Sequence, residues 1–138
     1  MAAGEDAALR LINEFRKESG RAALAMDARL VRAAERHARE MVTDDFFDHK
    51  GPGGSTMDSL AREAGYEWRL LAENLAAGMG TPEKAIQTWI DSKPHRHNLL
   101  LRDVVHAGIA HLRDGSDSGD IVFGDYWVLL LAAPSTAN

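Results

Sequence analysis

Apolar residues recur at helical spacing in the first third of the chain. The segment from Ala7 to Glu18 keeps its apolar side chains on one face and is followed by Gly20, a typical stop signal, so we predict a helix there. A clearer helix follows Asp27, whose carboxylate can cap its first turn. One face of this second helix carries a mostly apolar stripe: Leu30, Ala33, Ala34, His37, Ala38 and Met41. Both helices therefore need a core to pack against.

A second stripe on the same helix is basic and consists of Arg29, Arg32, Arg36 and Arg39. The simpler interpretation is a solvated face whose charge is balanced by Glu35 and Glu40. A contact with an anionic surface is the alternative that the sequence leaves open.

The pattern breaks between Phe46 and Gly54, where glycine and proline exclude a regular element and predict a loop. A short helix is predicted to begin at Ser55 or Thr56 and to end at Ala64. Ser55 and Asp58 have the spacing of a capping box with Asp in place of Glu.

The middle of the chain alternates between strand-like and helix-like segments. Leu70–Ala77 is predicted as a short strand. A helix then begins at Thr81-Pro82, with Thr as N-cap and Pro in the first turn, and ends near Ser92. His95–Leu100 is expected to form one or two further helical turns.

The last third changes character, because β-branched and aromatic residues replace the helical spacing. Val104–Leu112 and Ile121–Ala132 are predicted strands, joined by a polar loop at Arg113–Asp120, which is typical of an antiparallel hairpin. Helices first and a hairpin last predict an α+β fold in which helices pack on a small sheet.

The composition is that of one ordinary globular domain covering residues 1–138. Hydrophobic residues make up 45% and charged residues 27% of the chain, which excludes disordered, collagen-like and fibrous classes. The net charge of −5 argues against nucleic acid as a partner, because phosphate binding needs a concentrated positive face. The chain has no cysteine, so disulfides, a thiol nucleophile and a cysteine-ligated metal are excluded.

Neither a membrane span nor a secretory signal is expected from the residues. The longest apolar run, Tyr126 to Ala133, is far too short to cross a bilayer. The opening residues MAAGEDAALR lack the basic and apolar regions of a signal peptide. The residues alone therefore leave two locations open, the cytosol or an exported state reached after removal of a signal.

Six histidines are the main candidates for chemistry, since the chain has no H-E-x-x-H and no G-x-S-x-G motif. His37 lies on the apolar stripe and is predicted to be a hydrogen-bonded core residue. His106 and His111 have opposite parity on a predicted strand, so they face opposite sides. His95 and His97 diverge if their segment is helical and can approach one another only if it is extended.

His49 and Glu73 stand apart from these. His49 lies in the glycine-rich loop, where a polar side chain is free to project and functional groups concentrate. Glu73 lies in the apolar stretch LLAENLAA, where a carboxylate needs a partner or a shifted pKa. The alternative for Glu73 is a structural anchor that accepts backbone hydrogen bonds.

Four segments in order resemble one protein family. They are HAREMVTDDFFDHKG, AREAGYEWRLLAENLAAG, AIQTWIDSKPHRHNLL and the closing GIAHL…YWVLLLA. Together they resemble the CAP superfamily of cysteine-rich secretory, antigen 5 and pathogenesis-related 1 proteins, in its short bacterial SCP-like branch. The resemblance extends from about Leu11 to Ala132, nearly the whole chain.

The resemblance implies a three-layer α-β-α sandwich with a small antiparallel sheet, and a cleft holding two histidines and one or two acids. The family's histidines fall on His49 and His95, and its glutamate falls on Glu73. Relatives place a second glutamate where this chain has Ser92, with Asp91 beside it, so these two are expected as supporting residues. The disulfides and cysteine-rich module of eukaryotic relatives are absent.

Two imidazoles and a carboxylate suit a divalent cation such as Zn²⁺, with His49 and His95 as ligands and Glu73 as ligand, base or orienting group. Without metal, the same groups form an acid–base cluster.

Three functions follow from this site and from the resemblance. The resemblance favours a secreted, extracellular or periplasmic monomer that binds a small molecule or a lipid. Trp68, Leu70 and Leu71 are candidates for the wall of a lipid groove, although core packing is the favoured interpretation for at least one of the two leucines. A metal-dependent hydrolase, possibly a protease, and a structural extracellular module without chemistry are the other two hypotheses.

Overall fold

The amphipathic segments of the sequence form two helical layers around a sheet in the computed structural model, which describes residues 3–113 and 123–135. The described helices are α1 (Ala3–Glu18), α2 (Ala28–Thr43), α3 (Met57–Glu63), α4 (Pro82–Asp91) and α5 (Lys93–Leu99). The described strands are β1 (Ala25–Met26), β2 (Trp68–Ala77), β3 (His106–Arg113) and β4 (Asp125–Pro134). Every predicted helix and strand is confirmed, with boundaries that differ by a few residues. The loop predicted at Arg113–Asp120 lies, from residue 114 onward, outside the described residues.

The strands form one sheet in the order β1-β3-β4-β2. β4 pairs antiparallel with β2 on one side and with β3 on the other, as the hairpin pattern predicts. β1 adds a parallel pairing with β3, so the sheet is mixed rather than purely antiparallel. β1 has only two residues, too few to show an alternating pattern of apolar and polar side chains. It is a strand because this segment pairs with β3.

The side chains of β4 alternate between two cores, which confirms the three-layer sandwich. Tyr126, Val128 and Leu130 pack with α2 and α3 on one face of the sheet. Trp127 and Leu129 pack with α1, α4 and α5 on the other face. β4 is therefore buried on both sides, which explains its unbroken apolar run.

Helix caps are set by local chemistry. Asp27 caps α2 as predicted, because its side chain accepts hydrogen bonds from the backbone of Arg29 and Leu30. The capping box of α3 is formed by Thr56 and Ser59, so the prediction of Ser55 with Asp58 is wrong by one residue. The Ser55 hydroxyl instead donates to a carboxylate oxygen of Glu40, 2.8 Å away.

The basic stripe of α2 is a solvated face in the described structure. Arg36 bonds Glu40 at 3.0 Å and Glu63 at 2.6 Å, and Arg29 bonds Asp27 at 2.8 Å. These pairs are exposed on the guanidinium side, so they stabilise the fold only weakly. Among residues 3–113 and 123–135, no helix has the length and apolar character needed to cross a bilayer.

Candidate functional site

A buried histidine on α2 anchors the loop that carries His49. His37 is 1% exposed, as its place on the apolar stripe predicts. Its Nε2–H donates to the carbonyl of Asp48, 2.9 Å away and one residue before His49. His37 therefore positions the loop, a role that its apolar neighbours did not reveal.

Glu73 lies at the centre of β2, opposite Leu130 of β4, and its side chain is only 1% exposed. The Nδ1–H of His49 donates to Glu73 Oε1 over 2.7 Å. His49 itself remains 58% exposed, so it covers the carboxylate while its other ring nitrogen is directed away from that bond. The structure thus brings together two of the three predicted site residues.

The hydrogen bond to Glu73 is the main cause of a raised pKa at His49. Partial burial acts in the opposite direction, and the negative charge of Glu73 adds to the increase. The second carboxylate oxygen, Glu73 Oε2, is buried and has no hydrogen-bond partner among the residues that the structure describes. A buried acceptor left in this state is costly, which makes it the most unusual polar atom of the site.

His95 lies on α5, with Nδ1 2.8 Å from the hydroxyl of Ser92. Its pKa is lowered, chiefly by burial and then by the nearby positive charge of His49. The two imidazoles are therefore electrostatic neighbours, although they make no direct hydrogen bond. Because α5 is helical, His97 points elsewhere, as the spacing predicts.

The two predicted supporting residues lie in different surroundings. Ser92 contacts His95, as described. Asp91 is exposed and accepts a hydrogen bond from Gln87 Nε2 at 2.8 Å on the outer surface of α4. Within the described residues, Asp91 makes no hydrogen bond to His49 or to His95.

Two asparagines that the sequence analysis did not single out connect β2 to α5. Asn74 is fully buried and donates to the carbonyl of His95 at 3.0 Å. Asn98 donates to Asn74 Oδ1 at 3.0 Å and to the carbonyl of Glu73 at 3.4 Å. These bonds hold the backbones of Glu73 and His95 in fixed positions. A buried amide inside an apolar stretch was the available signal, since it must find partners.

A cavity of about 520 Å³ opens between the His49 loop, the start of α3 and β2. His49, Glu73 and Asn98 contribute polar groups, whereas Met57 and Leu71 contribute apolar surface. This size and mixture are typical of small-molecule sites.

The residues predicted to form the wall of a lipid groove lie on different faces of the sheet. Leu71 lines the cavity, but Leu70 packs in the opposite core, as the favoured interpretation for one of the leucines expected. The Trp68 ring is covered by the guanidinium of Arg62, 4.8 Å from its centroid.

The described side chains around His49 and His95 do not form a complete set of metal ligands. Within residues 3–113 and 123–135, no cluster of three or more His, Asp or Glu side chains has a metal-holding arrangement. Glu73 Oε1 is bonded to His49, so Glu73 could add only its buried Oε2 to the two imidazoles. A catalytic zinc site usually has three protein ligands, so the described donors do not by themselves fit one.

The three-layer arrangement recurs in solved bacterial structures. An extracellular protein containing an SCP domain from Bacillus anthracis has a TM-score of 0.80, with 23% identity, over 92% of this chain and 39% of its own. An outer surface protein of Borrelia burgdorferi has a TM-score of 0.84, with 21% identity, over 95% of this chain and 92% of its own. The fold is thus that of the SCP domain, a sandwich of helices around a small mixed sheet.

Sequence comparison gives the family. Residues 9–131 match the model of CAP, the cysteine-rich secretory protein family, and the chain therefore belongs to that family. The uncharacterized protein YkwD of Bacillus subtilis is 28% identical over 116 residues, which are 84% of this chain and 45% of YkwD. The chain thus spans less than half of YkwD. The resemblance noted in the sequence is confirmed.

Proposed function

We propose that this CAP domain is an extracellular binding module whose cleft takes a small ligand that presents a cation or a hydrogen-bond donor to Glu73. One observation carries the proposal: Glu73 Oε2 is buried without a partner, and Glu73 lines a cavity of about 520 Å³. A ligand that satisfies this oxygen removes the cost of an unpaired buried acceptor. His49, at the exposed side of the pair, is the first group that such a ligand meets.

The walls of the cavity define the rest of the ligand. Met57 and Leu71 offer apolar contact, and Asn98 and Thr56 offer hydrogen bonds. A small organic molecule with a polar end fits this distribution better than a long acyl chain. Leu70 lies on the other face of the sheet and cannot extend the apolar wall.

A divalent cation held by the two histidines, rather than by Glu73, is a further candidate ligand of this site. His49 and His95 each hold Nδ1 against a side-chain oxygen, which leaves Nε2 for a ligand. A carboxylate bonded to the distal nitrogen of an imidazole orients that imidazole and increases its basicity toward a metal. With two imidazoles as protein donors, we expect weak binding of Zn²⁺, completed by water or by a second ligand.

The experiment is a calorimetric titration of the metal-stripped domain with Zn²⁺. We expect a dissociation constant below about 1 mM, which His49→Ala and His95→Ala each weaken roughly tenfold. His97→Ala is the matched control, because His97 lies on the same helix and is exposed. Equal weakening by all three variants would place the metal elsewhere, and no binding by any divalent ion below about 1 mM would contradict the cation part of the proposal.

Hydrolysis in the same cleft is a second candidate function. It is favoured by the 2.7 Å hydrogen bond between His49 and Glu73. A histidine oriented by a carboxylate is the usual arrangement of a general acid or base. A hydrolase would lose activity on His49→Ala and His95→Ala with the fold retained, and a metal-dependent one would also lose it in chelator. A domain with neither ligand nor activity would be the structural module.

The proposed location rests on the relatives, two of which are described as an extracellular protein and an outer surface protein. We expect the domain outside the cytoplasm and monomeric. Fractionation of cells that express the natural gene, with light scattering of the purified domain, tests both points. Recovery in the cytoplasmic fraction alone would contradict the location.

A further inference from the structure

A second cavity lies on the other side of α5, and five of the seven residues that line it have basic side chains. Its volume is about 430 Å³, and it lies between α5, the turn after α1 and the segment that follows α5. Its basic lining consists of Arg21, Lys93, Arg96, His97 and Arg102. Lys93, Arg96, His97 and Leu100 recur at i, i+3, i+4 and i+7, so they share one face of the helical segment.

No residue that the structure describes neutralises the charges of this cavity by an ion pair. Among residues 3–113 and 123–135, no carboxylate lies within ion-pair distance of its arginines or of Lys93, and no acidic side chain lines it. The chain as a whole carries a net charge of −5, so the local excess of positive charge is opposite in sign to the net charge. A concave surface of one sign focuses the field and attracts counter-ions.

Two of the arginines are held in place by backbone carbonyls. Arg21 donates from Nε to the carbonyl of Leu100 at 2.6 Å and from Nη1 to that of Ser19 at 3.2 Å. Arg96 donates from Nη1 to the carbonyl of Ile90 at 2.7 Å. Each guanidinium therefore has a fixed position and keeps an unused Nη2 donor. Preorganised donors lose less freedom when they bind a ligand.

A buried arginine lies directly behind the cavity wall. Arg16 is fully buried and donates from Nη1 to the carbonyls of Leu99 and Leu101, the second of which lines the cavity. Its Nη2 is buried without a hydrogen-bond partner. Burial, and then the positive charge of Arg21, lowers the pKa of Arg16. An uncompensated charge in this position strengthens the positive field of the cavity.

We propose that this cavity, independently of the cleft at Glu73, binds the phosphoryl group of a small phosphorylated molecule. Several arginines around one hollow suit a multiply charged oxyanion, because guanidinium groups match phosphate oxygens in pairs. Leu100 and Leu101 supply a partly buried apolar floor for the organic part of the ligand. The shared chemistry is the phosphoryl group, whether it belongs to a free metabolite or to a lipid headgroup.

The test is a titration of the intact domain with pyrophosphate at low ionic strength, followed by amide chemical shifts and calorimetry. We expect saturable binding below about 1 mM, with the shifts centred on α5. The double variant Lys93→Gln/Arg102→Gln should weaken binding roughly tenfold, because two exposed cations are removed from the hollow. Neither side chain makes a hydrogen bond in the described structure, so the fold should be retained, which a melting curve checks.

The matched control is Arg32→Gln/Arg39→Gln, which makes the same change in net charge on the solvated face of α2. It should leave the pyrophosphate affinity within about twofold. Equal weakening by both double variants would overturn the proposal, as would acetate shifting the same amides equally well. Binding of an oligonucleotide without binding of pyrophosphate would also overturn it.

A vesicle experiment distinguishes the two sources of the phosphoryl group. Co-sedimentation with phosphatidic acid vesicles but not with phosphatidylcholine vesicles, lost in Lys93→Gln/Arg102→Gln, would assign the site to a lipid headgroup. Binding of pyrophosphate without co-sedimentation would assign it to a free phosphorylated molecule. Failure of Zn²⁺ binding at the other cleft has no bearing on either result.

Discussion

At the scale of single residues, the site is defined by two histidines in opposite electrostatic situations. The carboxylate of Glu73 raises the pKa of His49 through a short hydrogen bond. Burial, followed by the charge of His49, lowers the pKa of His95. Because the two pKa shifts have opposite signs, a pH range exists in which His49 is protonated while His95 is neutral.

We expect proton NMR titration to separate these two histidines from an ordinary value of about 6.5. His49 should titrate above that value and His95 below it. Glu73→Gln should lower the pKa of His49, because the ion pair is lost, and should raise that of His95, because His49 is then less charged. Coincident titration of His49 and His95 would contradict the coupling.

The same interaction gives stability a defined pH dependence. Because the folded pKa of His49 is raised, its contribution is complete below the unfolded pKa of about 6.5 and is lost as pH rises through the folded value. His49→Gln should therefore lower the free energy of unfolding more at pH 6 than at pH 9. Urea unfolding at the two pH values measures the difference, and a larger cost at pH 9 would reverse the assigned sign.

At the scale of elements, α2 approaches β3 closely at Gly108. A Cβ added to Gly108 would lie 2.3 Å from the backbone carbonyl carbon of Leu30 and 2.5 Å from its Cβ. Glycine is therefore required inside a strand, where it is otherwise unfavourable. The position of α2 on the sheet also decides where His37 lies, and so where the His49 loop begins.

Gly108→Ala should destabilise the domain by about 3 kcal/mol, because the clash is with backbone atoms that cannot rotate away. Gly53→Ala is the matched control, since nothing lies within 4 Å of its added Cβ. Its effect should be within about 0.5 kcal/mol. Thermal unfolding of both variants measures the difference, and equal melting temperatures would show that α2 can shift without cost.

At the scale of the whole molecule, Arg16 ties the end of α1 to the segment after α5. Its guanidinium donates to the carbonyls of Ala22, Leu99 and Leu101 at 2.8 Å each. The helices of one layer are thus joined by a buried charge rather than by apolar packing alone. The segment so fixed also forms the wall of the cationic cavity.

Arg16→Met should cost about 3 kcal/mol of stability, because buried carbonyls lose their donors while the apolar volume is largely kept. Lys17→Met, at the exposed neighbouring position, should change stability by less than about 0.5 kcal/mol. Chemical unfolding measures both variants. A cost for Arg16→Met below about 1 kcal/mol would mean that water replaces the guanidinium without loss.

The sequence by itself determined the local elements, because periodicity, caps and breakers act through near neighbours. The stripe of α2, the Asp27 cap and the unbroken apolar run of β4 were all readable in this way. His49, Glu73 and His95 were found together through family resemblance, since no spacing along the chain brings positions 24 and 22 residues apart into contact. Three features could be known only from the tertiary structure. They are the parallel strand β1, the hydrogen bond between Asn98 and Asn74, and the cationic cavity beside α5. Each of these features depends on which segments, distant in the sequence, lie side by side in the fold. The packing of the whole chain determines that arrangement.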